Sequence, residues 1–344
     1  MPVYNIVGFK HHDKLEYDYM ELVPVGNGEI RVLPLASESL GVRSMATLVE
    51  TDDVRLVIDP GSALGPRFRL NPHEREYLTL YRTRKAILEA SRDADLLTIS
   101  HYHFDHYVPN FENWLWIWSS PELAAELYSD KLILAKDTNV DINPNQRKRG
   151  YMFRKMNDKT AKEIRVADGR TFKFGRTSLE FSKPIYHGPA GSKLGYLLML
   201  TIRTPGCCLL HAPDVQGPMY DEPLRTIIAQ KPDLVMMGGP PIYLAFKLDS
   251  DDLVAAQRNL ATLARYVPQL VVDHHLLRSL DYLQYLQPVM RAAEQAGNRV
   301  LTAAELIGRE PMLLEARRKE LHEQEPIERE WYERLEKGEF KRGF

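Results

Sequence analysis

LLTISHYHFDH, residues 96–106, opens as an apolar run and places three histidines and an aspartate in its last six residues. A run of Leu, Thr and Ile closed by a polar cluster predicts a buried strand whose C-terminal end empties into a loop. His101, His103, Asp105 and His106 can turn imidazole nitrogens and a carboxylate oxygen towards one point. Zinc, iron and manganese accept these donor types.

Upstream, IRVLPLA, SMATLVET and VRLVIDPG are apolar runs parted by turn residues such as Leu40-Gly41 and Asp52-Asp53, and they predict consecutive strands of a meander. Asp59 falls at a strand end before Pro60 and Gly61. From Pro72 to about Ser91 the Leu, Tyr and Ile positions recur at helical spacing, so strand, helix and strand imply a crossover. Downstream, FENWLWIWSSPELAAELYSD predicts a helix with Trp114, Trp116 and Trp118 in the core, followed by a strand in KLILAKD. The next segment carries the basic run Arg147, Lys148, Arg149, Arg154 and Lys155. Two readings are open for it: a solvated helix face, the commoner outcome, or a phosphate-attracting lip beside the site.

The second half repeats the meander in EIRVAD, RTFKFG, TSLEFSKPIYH, LGYLLMLTIRT and CCLLHAPD, then alternates helix and strand through PLRTIIAQ, LVMMGG, LVAAQRNLATLARY, QLVVDHH, YLQYLQPVMRAAEQA and RVLTAAE. Two meanders, each passing into alternating elements, predict two sheets covered outside by helices: an α/β, four-layer αββα sandwich. No composition shift marks a linker, so residues 1–310 are read as one domain. Residues 311–344 are read as a charged helical C-terminal extension lying on the surface or on a partner subunit, which makes a homo-oligomer an expectation.

The chain has 344 residues, 44% of them hydrophobic, enough for a substantial core. Lys and Arg (45) nearly balance Asp and Glu (47), so no global field recruits nucleic acid or an anionic membrane. Cys207 and Cys208 are the only cysteines; adjacent and apolar-flanked, they argue against a disulfide framework and suit a reducing compartment. The N-terminus lacks the basic start and apolar segment of a signal peptide, and no stretch reaches the roughly 18 apolar residues of a membrane helix. A cytoplasmic protein without a membrane partner is the expectation.

Three further places put a histidine or carboxylate at the end of an apolar strand: His187 in KPIYHGPAG, His211 to Asp214 in LLHAPD, and Asp273 to His275 in VVDHH. Strand ends on one edge of packed sheets converge in space although they are far apart in sequence. Three imidazoles satisfy one zinc with a water in the fourth position, so the surplus of ligands calls for a second ion. His101, His103 and His187 are assigned to the first metal, and Asp105, His106 and His274 to the second, with Asp214 bridging. Two-metal sites space their ions roughly 3.5 to 4 Å apart, and water between two cations is acidified into a nucleophile. Successive side chains of an extended strand end point in opposite directions, so one of His274 and His275 is expected to face the metals. His274 is chosen by register with TISH, and His275 is the alternate. Asp59 is read as a carboxylate orienting a metal-bound histidine, and His211 as a hydrogen-bond partner or proton carrier. His73 and His322 are read as surface residues.

SHYHFDH resembles the HxHxDH signature of the metallo-β-lactamase superfamily. Asp59 in VIDPG is similar to the family's first motif, His101, His103, Asp105 and His106 to the second, His187 to the third, Asp214 to the fourth and His274 to the fifth. ESLGVRSMATLVET, ISHYHFDHYVPNF, HGPAGSKLGY, HAPDVQGP, GGPPIYL and DHHLLR resemble its UPF0282-like group of metal-dependent hydrolases. The resemblance implies the αββα fold, one or two zinc ions, with iron or manganese as alternatives, and hydrolysis. Pro213 before Asp214 departs from the more frequent Gly-Asp pattern of the fourth motif.

The resulting expectation is a zinc-dependent hydrolase in which a metal-bridging hydroxide attacks a phosphodiester, ester or amide. Asp105, Asp214 and His211 are the catalytic candidates, and a phosphorylated or nucleotide-like small molecule is the favoured substrate. Two rivals remain: a mononuclear iron oxidoreductase using His101, His103, His187 and Asp214, and a nucleic-acid-binding protein with a vestigial metal site.

Overall fold

The computed structural model describes residues 21–340, so the opening segment 1–20, read above for its lack of a signal sequence, lies outside the described residues. The first sheet runs in chain order through β1 (Val23–Val25), β2 (Ile30–Pro34), β3 (Thr47–Glu50), β4 (Arg55–Ile58), β5 (Leu96–Ile99), β6 (Leu132–Ala135) and β7 (Glu163–Val166). β1 to β4 form the antiparallel meander. β4 to β7 are parallel, and α1 (Glu74–Arg92), α2 (Pro121–Tyr128) and α3 (Pro144–Asn157) make the crossovers between them.

The second half supplies β8 (Thr171–Phe174), β9 (Thr177–Phe181), β10 (Ile185–Tyr186), β11 (Tyr196–Leu197), β12 (Leu200–Arg203), β13 (Cys208–Ala212), β14 (Leu234–Gly238), β15 (Gln269–Asp273) and β16 (Arg299–Leu301). The sheet order is β16-β15-β14-β13-β12-β9-β8, parallel from β13 to β16, while β10 and β11 pair separately as a short ribbon. Helices α4 (Asp221–Gln230), α5 (Ser250–Tyr266) and α6 (Tyr282–Gln295) cover its outer face, and α7 (Ala303–Leu306) follows β16.

Neighbouring strand residues face opposite ways, and here both ways lead into a core. Leu96, Leu56, Leu209 and Met236 meet between the sheets. Leu97 and Val57 face α1 and α2, and Leu210 and Met237 face α5 and α6. This burial on both faces is why the strands read as continuous apolar runs instead of alternating ones. The four-layer αββα sandwich expected from the sequence is the observed architecture.

Several local expectations need correction. Residues 111–120 are not helical: the Asn113 side chain accepts the amides of Trp116 and Ile117, Trp118 is left-handed (φ 53°), and the helix starts only at Pro121 behind the Ser120 cap. Trp114 and Trp118 are buried as expected, and Trp116 is half-buried. His73 is no surface residue. It is buried as the N-cap of α1 in a reciprocal pair with Glu76, and its Nε2 lies 3.0 Å from the Glu325 carbonyl. The charged tail forms α8 (Arg318–Gln324) and α9 (Arg329–Glu336) and packs back on α1. Arg318 is fully buried there, with two hydrogen bonds to Glu76 (2.8 and 2.7 Å) and one to the Gly65 carbonyl (2.7 Å). Among the described residues no helix is long and apolar enough to cross a membrane.

Candidate metal centre

Parallel strands release their C-terminal ends at one edge of a sheet, and the candidate ligands sit at those ends, except His187, which follows β10 of the antiparallel ribbon. Asp59 follows β4, His101 to His106 follow β5, Asp214 lies in the turn after β13 and His274 follows β15. The histidine loop is a tight turn in which the His106 amide donates to the His103 carbonyl (3.0 Å). Gly61 lets the end of β4 press against it: a Cβ there would lie 2.2 Å from the Tyr107 amide nitrogen and 2.4 Å from the His106 carbonyl carbon. Asp59 (φ 48°) and His274 (φ 58°) both hold left-handed backbones, an uncommon conformation for non-glycine residues that concentrates at functional sites.

Asp214 stands at the centre. Its Oδ2 is 2.7 Å from His187 Nε2, 3.4 Å from both His101 Nε2 and His106 Nε2, and 3.9 Å from His103 Nδ1. Its Oδ1 is 3.1 Å from His274 Nε2, which is in turn 3.5 Å from Asp105 Oδ2. His101, His103, His187 and Asp214 form one group of converging ligand atoms, and Asp105, His106 and His274 another. All seven sequence-nominated ligands are therefore brought together.

The hydrogen bonds of the outer ring nitrogens assign the tautomers. Asp59 Oδ2 accepts from His106 Nδ1 (2.9 Å) and from the Ser100 hydroxyl (2.5 Å), and that hydroxyl lies 3.0 Å from His101 Nδ1. Glu38 Oε2 accepts from His274 Nδ1 (2.7 Å). With protons on these Nδ1 atoms, the Nε2 lone pairs of His101, His106 and His274 all point at the Asp214 carboxylate. Lone pair facing lone pair is repulsive unless a cation lies between them. Among the described residues, His106 Nε2, His274 Nε2 and Asp214 Oδ1 are buried with no hydrogen-bond partner. These residues fit divalent ions.

When no ion is bound, protons take its place: the carboxylates favour the doubly protonated form of His106 and His274, with a proton on each Nε2 where a cation would otherwise lie. Burial would raise the Asp214 carboxyl, but His274, His106 and His187 outweigh it and hold it well below the usual range. Burial would lower His274, yet Asp214 and Glu38 carry it up to about 9. Burial, with the charge of His106, pushes His101 down to about 3. A buried, ionised carboxylate cluster demands positive charge.

Other nominated residues fall less simply. His275 also faces Asp214, its Nε2 at 3.6 Å from Oδ2. The strand-alternation argument fails because the chain leaves the extended conformation at His274 and enters a 3-10 turn over His274–Arg278. Among the described residues both His275 ring nitrogens lack a hydrogen-bond partner, whereas His274 is oriented by Glu38. His211 stands outside the ligand groups. It is fully buried with Nε2 3.1 Å from the Met45 carbonyl, an arrangement that fits the first of its two expected roles, hydrogen-bond partner. Sequence reasoning missed Glu38 and Arg278. Arg278 Nε bonds Glu38 Oε1, and its Nη2 lies 3.9 Å from Asp105 Oδ2, so one guanidinium steadies both flanks of the second group. Glu38 sits in the turn before Leu40-Gly41, 236 residues from His274, and only folding pairs them. The basic run is divided as well. Arg147 and Arg154 donate to the Asn139 and Ile164 carbonyls, while Lys148 and Arg149 line a cavity with Phe104.

A family model described as the β-lactamase superfamily domain matches residues 42–261. A UPF0282 protein of Methanopyrus kandleri is 46% identical over 298 residues, 86% of this chain and the whole of that protein. The chain is a UPF0282 member of the metallo-β-lactamase superfamily. Its similarity extends to a UPF0282 protein of Korarchaeum cryptofilum, 40% identical over 88% of this chain and 99% of the relative. Among solved structures, this UPF0282 chain is similar to Tm1679, a metal-dependent hydrolase of the β-lactamase superfamily (TM-score 0.43, 12% identity, 79% of this chain and 95% of that one). It is also similar to CmlA, a diiron β-hydroxylase from Streptomyces venezuelae (TM-score 0.45, 14% identity, 75% and 51%).

Proposed function

We infer that this protein is a metal-dependent hydrolase whose two groups of converging side chains, with Asp214 common to both, would hold two divalent ions. The observation that carries the reading is the set of imidazole lone pairs aimed at one buried carboxylate from two ligand groups. His101, His103 and His187 would hold the first ion and Asp105, His106 and His274 the second, with Asp214 shared. Zinc suits so imidazole-rich a set, and iron and manganese use the same donors. Bound there, the ions supply Lewis acidity and an acidified water to attack an ester, amide or phosphodiester centre.

The chain's own residues prepare this chemistry. Asp59 and Glu38 fix the His106 and His274 tautomers. His103 and Asp105 are the open edge of the site, at 23% and 16% side-chain exposure, while His101, His106, His274 and Asp214 are sealed at 0–1%. Substrate therefore approaches over His103 and Asp105. The Asp105 carboxylate, on that open edge, would take the proton released by the attacking water. We favour a phosphodiester, because paired ions match the in-line displacement of phosphoryl transfer. Turnover of bis-p-nitrophenyl phosphate set beside ester and lactone panels tests the choice: diester hydrolysis supports it, and turnover of esters alone overturns it.

The four-residue group of His101, His103, His187 and Asp214 favours one second reading, an oxidoreductase with a single iron. About one iron and no zinc per chain, with oxygen consumption and no hydrolysis, would decide for it.

A further inference from the structure

We propose that the groove between the histidine loop and α3 binds the aromatic, anionic end of the substrate: a planar heteroaromatic ring carrying a phosphate, the size of one nucleotide. The groove encloses about 520 Å³, within the roughly 300–1,000 Å³ typical of small-molecule sites. One wall is the ligand loop itself, through Phe104, which lies between His103 and Asp105, and through Tyr107, which follows His106. The other wall is a single face of α3, where Lys148, Arg149, Met152 and Met156 recur at helical spacing. The naming of a substrate rests on the hydrolase reading; the existence of a ligand groove does not.

Three features select the occupant. Phe111, Met152 and Met156 are 44–45% exposed, a concentration of large apolar surface in one cleft that marks a binding site better than scattered exposed residues do. The Arg149 guanidinium lies 4.1 Å over the Phe104 ring and donates to the Tyr102 carbonyl, so the stack is already formed and a flat ligand ring extends it. No carboxylate lines the groove, and neither Lys148 nor Arg149 has an acidic partner among the described residues. Two neighbouring cations without counter-charge suit a phosphate. The volume holds one such unit and no continuous strand.

The test is calorimetric titration of the full-length, metal-loaded protein with AMP and adenosine, on wild type, Lys148→Glu and Phe111→Ala. Both substitutions are expected to leave the fold intact, checked by an unchanged melting temperature, since Lys148 and Phe111 are exposed. Lys148→Glu is expected to weaken AMP at least tenfold and adenosine less than twofold. Phe111→Ala is expected to weaken both by a similar factor. Identical AMP affinity in wild type and both variants would overturn the proposal, as would binding of a single-stranded RNA oligonucleotide with no binding of AMP. These readouts do not use turnover, so a protein that binds AMP through Lys148 and Phe111 but hydrolyses nothing keeps the groove and loses the hydrolase.

Discussion

Asp59 and Glu38 act alike on two different histidines. Each buried carboxylate accepts a hydrogen bond from the Nδ1–H of a candidate ligand imidazole and leaves Nε2 turned inward, Asp59 on His106 and Glu38 on His274. Such orienting partners are worth about 10–100-fold in metal affinity. Asp59→Asn and Glu38→Gln, which keep the shape and remove the charge, are therefore expected to lower zinc affinity by about one to two decades in a competition titration with a chromophoric chelator. Asn is also among the side chains that tolerate the left-handed backbone at position 59. Unchanged affinity in both variants would rule out the orienting role. At this scale the sequence was legible where a ligand ends an apolar strand, as at His101, His187, Asp214 and His274. It was silent on Glu38 and Arg278, which sit in a turn and in a 3-10 segment and acquire meaning only from partners more than 200 residues away. It misled at His275, because a period-two rule does not hold where the strand breaks into a turn.

Elements fix where those residues stand. The end of β4 and the loop after β5 are pressed together at Gly61, and no side chain fits between them. Gly61→Ala is expected to displace the His106 end of the loop and to reduce bound metal together with the melting temperature; normal metal content in this variant would show that the two segments separate freely. The tail is fastened by a second contact, the fully buried Arg318 with Glu76 of α1. Removing one partner of a buried pair costs about 3–5 kcal/mol, whereas replacing both with apolar groups costs much less. Arg318→Ala is thus expected to lose stability of that order in denaturant unfolding, and Arg318→Met with Glu76→Leu to recover only part of it, because the bonds to the His73 amide and the Gly65 carbonyl are lost too. Element type was largely readable from apolar runs and turn residues. Residues 111–120 depart from the predicted helix because the Asn113 side chain caps a turn there. The role of the tail was hidden because a charged sequence ordinarily signals solvent, and Arg318 and Glu76 show no sign of each other in the chain.

The whole molecule is two sheets back to back whose parallel halves open on the same side, and that layering was readable because strands buried on both faces keep continuous apolar runs. The extension ties into this frame through Glu315, which accepts two hydrogen bonds from Arg43 (2.6 and 2.8 Å). Burial alone would raise the Glu315 carboxyl, but Arg43 and Arg278 hold it down at about 2, against an ordinary value of 4.5. A depressed acid stabilises the fold above its unfolded value and loses that contribution as pH falls towards the folded one. Stability should drop between about pH 4.5 and 2, and Glu315→Gln should be less stable than wild type at pH 6 and approach it near pH 2. Parallel stability curves would contradict the pairing. The central claim is that two ions share Asp214, and metal analysis by mass spectrometry tests it most directly. The account predicts two divalent ions per wild-type chain, and one or fewer after Asp214→Asn with the fold intact by circular dichroism. A wild-type protein that binds fewer than two divalent ions under saturating conditions, or an Asp214→Asn variant that retains two ions, would contradict it.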